Sequence, residues 1–344
     1  MKHEIDLQKY QIRTDLAIEV IGENNKIKGI ISKQKKIDDI KVTAVWIDEY
    51  GSKQINKKKG NYITIEFKDV TDYNNSESVK AVFVNELKEL IDKNNILDSA
   101  SCLIVGLGNY KSTPDSLGPK VIKDIIVTNH LFMYGEVEDG FRKTFALNPG
   151  VMGTTGVETS ELIKAIVNTI KPDFVIAVDA LASQSIERVN KTIQMTDTGI
   201  HPGSGVGNSR KEISFDTLGI PVIAIGVPTV VDAVTIVSDT INYMFKHYTY
   251  TKNNINNPSH KLVPTSSINY LNSDIKVTDE DKRKLMGIVG NLEENEIKQL
   301  IFEVLTPIGY NLMVTPKEID FLMDKLSNII SDGINICLHE KVDN

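Results

Sequence analysis

The chain has very little cysteine. Its 344 residues include two, Cys102 and Cys337, which is too few for a disulfide framework. Cys102 lies within a predicted buried strand, and this favours a reduced thiol and a cytoplasmic compartment. The fold must therefore be held together by a packed core, and a chain of this length is long enough to bury one.

The sequence also lacks an excess of basic residues and any long apolar run. Its 39 Lys and Arg are outnumbered by 46 Asp and Glu, which gives a formal net charge of −7. Proteins that bind nucleic acid carry a basic surface, so we expect no direct nucleic-acid partner. No stretch reaches the roughly 18 apolar residues of a membrane-spanning helix. Because the charged N-terminus also lacks the apolar core of a signal peptide, we expect no membrane partner.

Several catalytic motifs are missing as well. The sequence has no H-E-x-x-H and no Cys/His set at ligand spacing, so it predicts no conventional zinc site and no cofactor. The segment Gly203-Ser204-Gly205 is close to a G-x-S-x-G elbow, but it lies in a loop without the required strand, turn and helix. A serine nucleophile is therefore not indicated.

Strand and helix patterns alternate through the middle of the chain. Short runs of Val, Ile and Leu between 98 and 248 are each followed by a loop and a helical pattern. Runs without polar alternation are typical of strands buried on both faces of a parallel sheet. The predicted fold class is α/β, with a mainly parallel, three-layer core. Before this core, residues 38–49 and 61–69 predict a β-hairpin, and 76–95 predict a helix capped by Ser76 or Ser78.

Two of the buried runs each place an aspartate at one edge of the predicted sheet. The run at 102–109 leads into a loop that carries Asp115, and the run at 173–181 carries Asp179. In open α/β sheets, catalytic groups collect at the carboxyl ends of the strands. Two carboxylates in an apolar cleft share a proton, so that one is a base and the other an acid. Asp115 and Asp179 are therefore the predicted catalytic pair.

The residues around Asp115 also have structural interpretations. Asp115 stands where it would cap the following helix. Gly106, Gly108 and Asn109 follow a strand as in a dinucleotide-binding turn, but Lys111 occupies the position of the third glycine. The two glycines therefore serve either a tight turn or the positioning of Asp115.

Three further Gly-rich segments follow strands of the same sheet, at 149–156, 198–208 and 226–232. Their backbone N–H groups suit a groove for a peptide or an oxyanion, with plain loop chemistry as the alternative. His201 is a candidate base or ligand, although a loop histidine is more often neither. The candidate groove residues are Gly106, Gly108, Asn109, Gly150, Gly153, His201, Gly203 and Gly205.

Five segments of the chain resemble the germination proteases of spore-forming bacteria, which are endopeptidases that degrade small acid-soluble spore proteins. The segments are VGLGNYKSTPDSLGP, PGVMGTTGVETSE, IAVDALA, IERVNKTIQMTDTGIHPGSGVGN and LGIPVIAIGVPTVVDAVTIVSDT. The resemblance implies that Asp115 and Asp179 occupy the positions of the family's two catalytic aspartates. It also implies a phosphorylase/hydrolase-like fold, a homotetramer, small acid-soluble spore proteins as substrate and a place in the cytoplasm of the forespore and spore core.

The resemblance further implies a zymogen that removes its own N-terminal propeptide. Family substrates are cut between an acidic residue and an aliphatic one followed by Ala, and the segment TDLA at 14–17 matches this pattern with Asp in place of Glu. We therefore predict self-cleavage between Asp15 and Leu16.

Binding of the acidic side chain before the cleaved bond needs a cationic pocket. Arg188, Arg210 and Lys211 flank the Gly-rich segments and are candidates for it, with a solvated surface role as the alternative. The segment GLGNYKSTPDSLG also has a looser likeness to hydrogenase-maturation endopeptidases, in which the corresponding carboxylate helps to hold a metal. A metal-dependent peptidase of that type and a non-catalytic module that binds spore proteins are therefore the alternative functions.

The chain then divides into four predicted parts. These are a propeptide at 1–15, an N-terminal region with hairpin and helix at 16–97, the catalytic α/β core at 98–248, and a polar connection with a helical C-terminal region at 249–344. In the last part, Thr315 as cap and Pro316 at the first helical position predict the start of the final helix.

Overall fold

The computed structural model describes residues 16, 18–19, 27–135, 137–203, 211–256, 275–305 and 312–343. Its strands are β1 (Ile30–Ile37), β2 (Ile40–Ile47), β3 (Gly60–Glu66), β4 (Cys102–Gly106), β5 (Thr144–Leu147), β6 (Phe174–Ser183), β7 (Thr192–Thr196), β8 (Val222–Asp232) and β9 (Met313–Val314). Its helices are α1 (Glu49–Ile55), α2 (Tyr73–Lys93), α3 (Leu117–Lys123), α4 (Asn129–Tyr134), α5 (Met152–Thr155), α6 (Thr159–Ile170), α7 (Phe215–Leu218), α8 (Ala233–Asn254), α9 (Asp279–Met286), α10 (Glu294–Leu305) and α11 (Ile319–Leu338).

The chain forms two compact units. The main unit comprises Arg13–Val230 and Thr315–Asn344. The described part of the other, which we call the helical unit, is contained in Val231–Val314. β8 runs from the first into the second, where its last two residues pair antiparallel with β9.

The sheet of the main unit is mixed. Its strand order is β1-β2-β3-β7-β8-β6-β4-β5. β4 is parallel to both β5 and β6, whereas the pairs β1–β2, β2–β3, β3–β7 and β7–β8 are antiparallel. The α/β class is confirmed, and both of these parallel pairs lie within the predicted core. The antiparallel N-terminal strands and the antiparallel β7 make the sheet as a whole mixed. An unbroken apolar run shows that a strand is buried on both faces but not which way its neighbours run.

Apolar side chains pack on both faces of the central strands. In β6, Phe174, Ile176 and Val178 pack against α2, α3 and α11, whereas Val175 and Ala177 pack against α6. Because successive side chains of a strand point to opposite faces, a strand between two helical layers needs apolar residues at every position. This explains the unbroken run in the sequence.

The N-terminal strands continue this sheet. β2 and β3 pair antiparallel, as the hairpin prediction required, but α1 lies between them. β1 was not predicted, and it forms a tighter hairpin with β2 through a turn in which Asp38 has φ 51. Nearly every side chain of β1 is exposed, so its sequence IISKQKKI carries no apolar period.

Two helices differ from prediction at their starts. α2 confirms the predicted helix, but its cap is Asp72, whose carboxylate accepts the N–H of Asn75 at 3.1 Å. α11 begins at Ile319 rather than at Pro316. Thr315 does not cap it, because its hydroxyl donates to the carbonyl of Thr229 at 2.8 Å.

The helical unit contains α8, α9 and α10. Asp232 caps α8 by accepting the N–H of Val234 at 2.8 Å, and burial raises the pKa of this carboxyl despite that bond. α9 is tied to α8 by Asp281, which accepts from Lys252 at 2.6 Å and from Thr249 at 3.3 Å. None of the described helices combines the length and the apolar composition that a bilayer crossing requires.

Candidate active site

The carboxyl ends of β4 and β6 share one edge of the sheet. Their pairing ends with Gly106 opposite Val178, where the N–H of Leu107 donates to the Val178 carbonyl at 2.8 Å. β4 then leaves the sheet, while β6 continues to Ser183. Asp179 is thus the first residue of β6 beyond the end of this neighbour, where an open α/β sheet leaves a crevice.

Asp179 is a buried carboxylate inside a strand. It is 5% exposed, and its Oδ1 accepts the N–H of Ala180 at 2.9 Å. Because side chains alternate along β6, Asp179 points to the same face as Ala177 and as Leu181 two residues later. Burying a carboxylate costs free energy unless hydrogen bonds or opposite charges compensate for the lost water. An aspartate is therefore an unusual residue at this position.

Asp115 ends a short 3-10 turn, Thr113–Asp115, that lies against β6. Its Oδ2 and its main-chain carbonyl both accept from the N–H of Asn109, each at 2.9 Å. It does not cap α3, because Ser116 occupies the cap position of that helix. The structure therefore brings the segments that carry Asp115 and Asp179 to one edge of the sheet.

Two glycines let the chain pack tightly around Asp115. Gly108 has φ +111, and a Cβ there would lie 2.1 Å from the carbonyl oxygen of Asp115 and 3.1 Å from its Oδ1. A Cβ on Gly106 would lie 2.3 Å from the carbonyl oxygen of Gly118 in α3. These glycines serve close backbone approach, and α3 begins only at Leu117, so a dinucleotide-binding turn is not formed.

Thr229 of β8 fixes the same turn, and sequence reasoning missed it. It is 1% exposed, and its hydroxyl donates to the carbonyl of Pro114 at 2.6 Å. The residue before Asp115 is therefore tied to another strand of the sheet. No local signal identifies this role, because the partner lies 115 positions away in the chain.

The segment 226–232 was predicted as a Gly-rich loop and is instead part of β8. Gly226 pairs with Gln194 of β7, and a Cβ on it would lie 2.4 Å from Leu181. The prediction is wrong because the β-branched residues that follow Gly226 continue the strand. The glycine makes room for the side chain of Leu181 rather than for a ligand.

Of the other two Gly-rich segments, 149–156 contains the short helix α5, and the described part of 198–208 is a loop. Gly150 has φ +68, and its carbonyl accepts from Thr159 at 3.3 Å. Gly153 lies in the exposed α5 with open space beside it. Gly203 has φ +70, and Gly205 lies outside the described residues.

His201 contacts a charged cluster. Its Nε2 lies 3.0 Å from Glu212 Oε2, and Lys58 Nζ lies 2.8 Å from Glu212 Oε1. Burial alone would raise the pKa of Glu212, but hydrogen bonds from Lys58 and Ser214 and the nearby positive charges outweigh it and hold this pKa below its ordinary value. The described residues contain no group of three or more His, Cys, Asp or Glu side chains placed to hold a metal ion.

The three cationic candidates have different surroundings. Lys211 is exposed and pairs with Glu161 at 2.7 Å, and Arg210 lies outside the described residues. The side chain of Arg188 is only 18% exposed and contacts Glu19 and Glu66. Arg188 is therefore not a solvated surface charge.

The predicted cleavage junction borders the candidate site. Asp15 lies outside the described residues, but Leu16 is fully buried. It clusters with Ile18 and with Leu181, which is two residues from Asp179 along β6. The residue directly after the predicted cleavage bond thus packs beside a candidate catalytic strand position.

The chain is similar to known proteins over its whole length. A family model described as germination protease matches residues 8–344. The germination proteases of Bacillus cereus (strain AH187), Bacillus anthracis (strain A0248) and Priestia megaterium (strain ATCC 12872 / QMB1551) are each 48% identical to the chain. Each alignment covers 100% of this chain and 98% of the relative, so the similarity spans both compact units.

Proposed function

The chain belongs to the germination protease family, and from that premise we propose that it is an endopeptidase that begins the degradation of small acid-soluble spore proteins during germination. It works in the cytoplasm of the forespore and spore core as a homotetramer. Its partners are its protein substrates and further copies of itself, with no cofactor, no direct nucleic-acid contact and no membrane.

We assign the chemistry to Asp115 and Asp179. The ionised member of the pair accepts a proton from water, whose oxygen attacks the carbonyl carbon of the scissile bond. The protonated member donates a hydrogen bond to the carbonyl oxygen as negative charge develops there. The proton taken from water then passes to the leaving nitrogen as the C–N bond breaks. The observation that carries this proposal is the contact of the Asp115 turn with β6 where buried Asp179 follows the end of β4.

We also propose that the chain is a zymogen that cuts its own Asp15–Leu16 bond and releases residues 1–15. The burial of Leu16 against Leu181 supports this, because it holds the junction near Asp179. The cleaved bond lies between an acidic and an aliphatic residue, and the same preference applies to protein substrates.

The test compares the full-length chain with Asp115→Asn and Asp179→Asn. We expect the wild type to lose residues 1–15 by intact mass and to cut a purified small acid-soluble spore protein. Each variant should be slower by several orders of magnitude, because the two carboxylates act as a unit. Asp173→Asn is the matched control, since Asp173 precedes the amino end of β6 and bonds to Ser101 at 2.6 Å.

Near-normal cleavage by either active-site variant would overturn the assignment. Activity of the wild type that disappears with a chelator would favour the metal-dependent type of peptidase. Stable binding of intact spore protein by the wild type and by both variants would favour the non-catalytic module.

A further inference from the structure

Glu19 is a carboxylate held inside the main unit, four residues after the predicted cleavage bond. Its side chain is 3% exposed. Oε1 accepts from the hydroxyl of Ser183 at 2.6 Å, and Oε2 accepts from the N–H of Gln184 at 2.8 Å. The Nη1 of Arg188 lies 3.4 Å from Oε1. A backbone donor, a hydroxyl and a guanidinium thus converge on one carboxylate.

The guanidinium of Arg188 is itself oriented from its other side. Its Nε donates to Glu66 Oε1 at 3.0 Å, and Lys41 Nζ lies 3.6 Å from Glu66 Oε2. The two carboxylates and two cations balance in charge, which lowers the cost of burying them. The pocket is therefore fixed by β3 and does not depend on Glu19 for the direction of Arg188.

The pocket that holds Glu19 lies on the C-terminal side of Asp179 along β6. Asp179, Leu181 and Ser183 alternate along the strand and so point to one face. Leu16 packs on Leu181, and Glu19 binds at Ser183, so the N-terminal segment and β6 advance in the same direction. Leu16, the residue directly after the predicted cleavage bond, therefore lies nearer to Asp179 along β6 than Glu19 does.

We propose that Ser183, the Gln184 N–H and Arg188 form a carboxylate pocket that positions the self-cleavage junction by holding Glu19. Glu19 and Arg188 are positioning residues in this scheme: they set which peptide bond reaches the catalytic aspartates. The inference rests on the proposed self-cleavage and deepens it by naming the side chains that fix its register.

The test follows self-cleavage of the full-length chain by intact mass for Glu19→Gln, Arg188→Gln and the double variant. We expect each single variant to cleave at least about tenfold more slowly, because a charge-assisted hydrogen bond is lost. The double variant should be about as slow as the slower single one, since both changes remove the same contact. Glu19→Asp, which keeps the charge, should recover part of the rate.

Glu161→Gln is the matched control, because it also removes a carboxylate from an ion pair, but on the exposed surface. It should cleave like the wild type. The thermal midpoint of each variant is measured in the uncleaved Asp115→Asn background, and cleavage rates are compared at a temperature at which every variant is folded. Cleavage of Glu19→Gln at the wild-type rate and bond, or a rate loss that only follows a lowered midpoint, overturns the pocket proposal.

The two proposals fail in different ways. If Asp115→Asn alone still cleaves normally, the catalytic assignment falls. If Asp115→Asn is inert while Glu19→Gln and Arg188→Gln process normally, the catalytic assignment stands and the pocket proposal alone is wrong.

Discussion

Single residues around Asp115 act by leaving space or by supplying one hydrogen bond. Gly108 has no Cβ, and the backbone of Asp115 lies in the space that a Cβ at position 108 would need. Thr229 supplies the bond by donating to Pro114 from a fully buried position. Both residues thus act on the backbone of the turn that carries the carboxylate.

Gly108→Ala tests this arrangement. The substitution places a methyl group 2.1 Å from the carbonyl oxygen of Asp115 at a backbone φ of +111, so the turn must move. We expect a loss of about 1–3 kcal/mol in unfolding free energy, with a larger proportional loss of self-cleavage. Chemical denaturation and intact mass measure the two effects.

Gly219→Ala is the matched control, because Gly219 has φ +75 with nothing within 4 Å of the added methyl group. It should lose stability through backbone strain alone and cleave at the wild-type rate once folded. Equal effects of the two substitutions on cleavage would show that the contact with Asp115 is unimportant.

The sequence could predict that Asp115 and Asp179 share one edge of the sheet, but not which residues fix their surroundings. Asp115 and Asp179 follow apolar runs, and that local pattern placed both at a strand end. Thr229 has no such pattern, because its partner lies 115 positions away. Arg188 was a cationic candidate from its position in the sequence, but its partner Glu19, 169 positions away, could not be predicted. Contacts of this kind are decided by which strands are neighbours in the sheet.

At the scale of elements, apolar runs predicted most strands and helices but not how they assemble. β4, β6 and β8 were predicted because each is buried at nearly every position. The antiparallel direction of β7 was not predicted, since a strand buried at every position has the same composition in a parallel and in a mixed sheet. β1 was missed for the opposite reason: it is exposed on both faces and has no period.

An ion pair between Glu212, which precedes α7, and Lys58, which precedes β3, joins two distant parts of the chain. Its contribution to stability depends on pH. Lys58 precedes β3 and contacts both Glu212 and Asp216, at 2.8 and 2.6 Å. Because the pKa of Glu212 is lowered in the folded state, its ionised form stabilises the fold. This contribution is fully present above the unfolded pKa of about 4.3 and is lost as pH falls through the folded value.

Glu212→Gln should therefore lower the unfolding free energy at neutral pH and make it less dependent on pH in the acidic range. We expect the difference in unfolding free energy from the wild type to be constant above about pH 5 and to shrink below about pH 4. Denaturant unfolding at a series of pH values measures it. The exposed Glu303→Gln in α10 should track the wild type, and a Glu212→Gln curve parallel to the wild type down to pH 3 would contradict the assignment.

At the scale of the whole molecule, α4 presents an apolar surface that the described main unit leaves uncovered. Its four consecutive residues Leu131, Phe132, Met133 and Tyr134 are 38%, 41%, 79% and 78% exposed. Contiguous exposed apolar side chains are typical of protein–protein interfaces. The proposed homotetramer offers the partner, a second copy of the same chain.

Replacing Met133 and Tyr134 together by Lys should therefore weaken self-association. For the wild type we expect light scattering to give about 150 kDa, four times the 38.3 kDa of one chain. The double variant should give a smaller, concentration-dependent mass, because charged ammonium groups resist burial in an interface. Ile288→Lys is the control: Ile288 is 87% exposed but belongs to the helical unit and not to α4, and its replacement should leave the mass unchanged. A double variant with the wild-type mass would place the contact between copies elsewhere, and a monomeric wild type would remove the need for one.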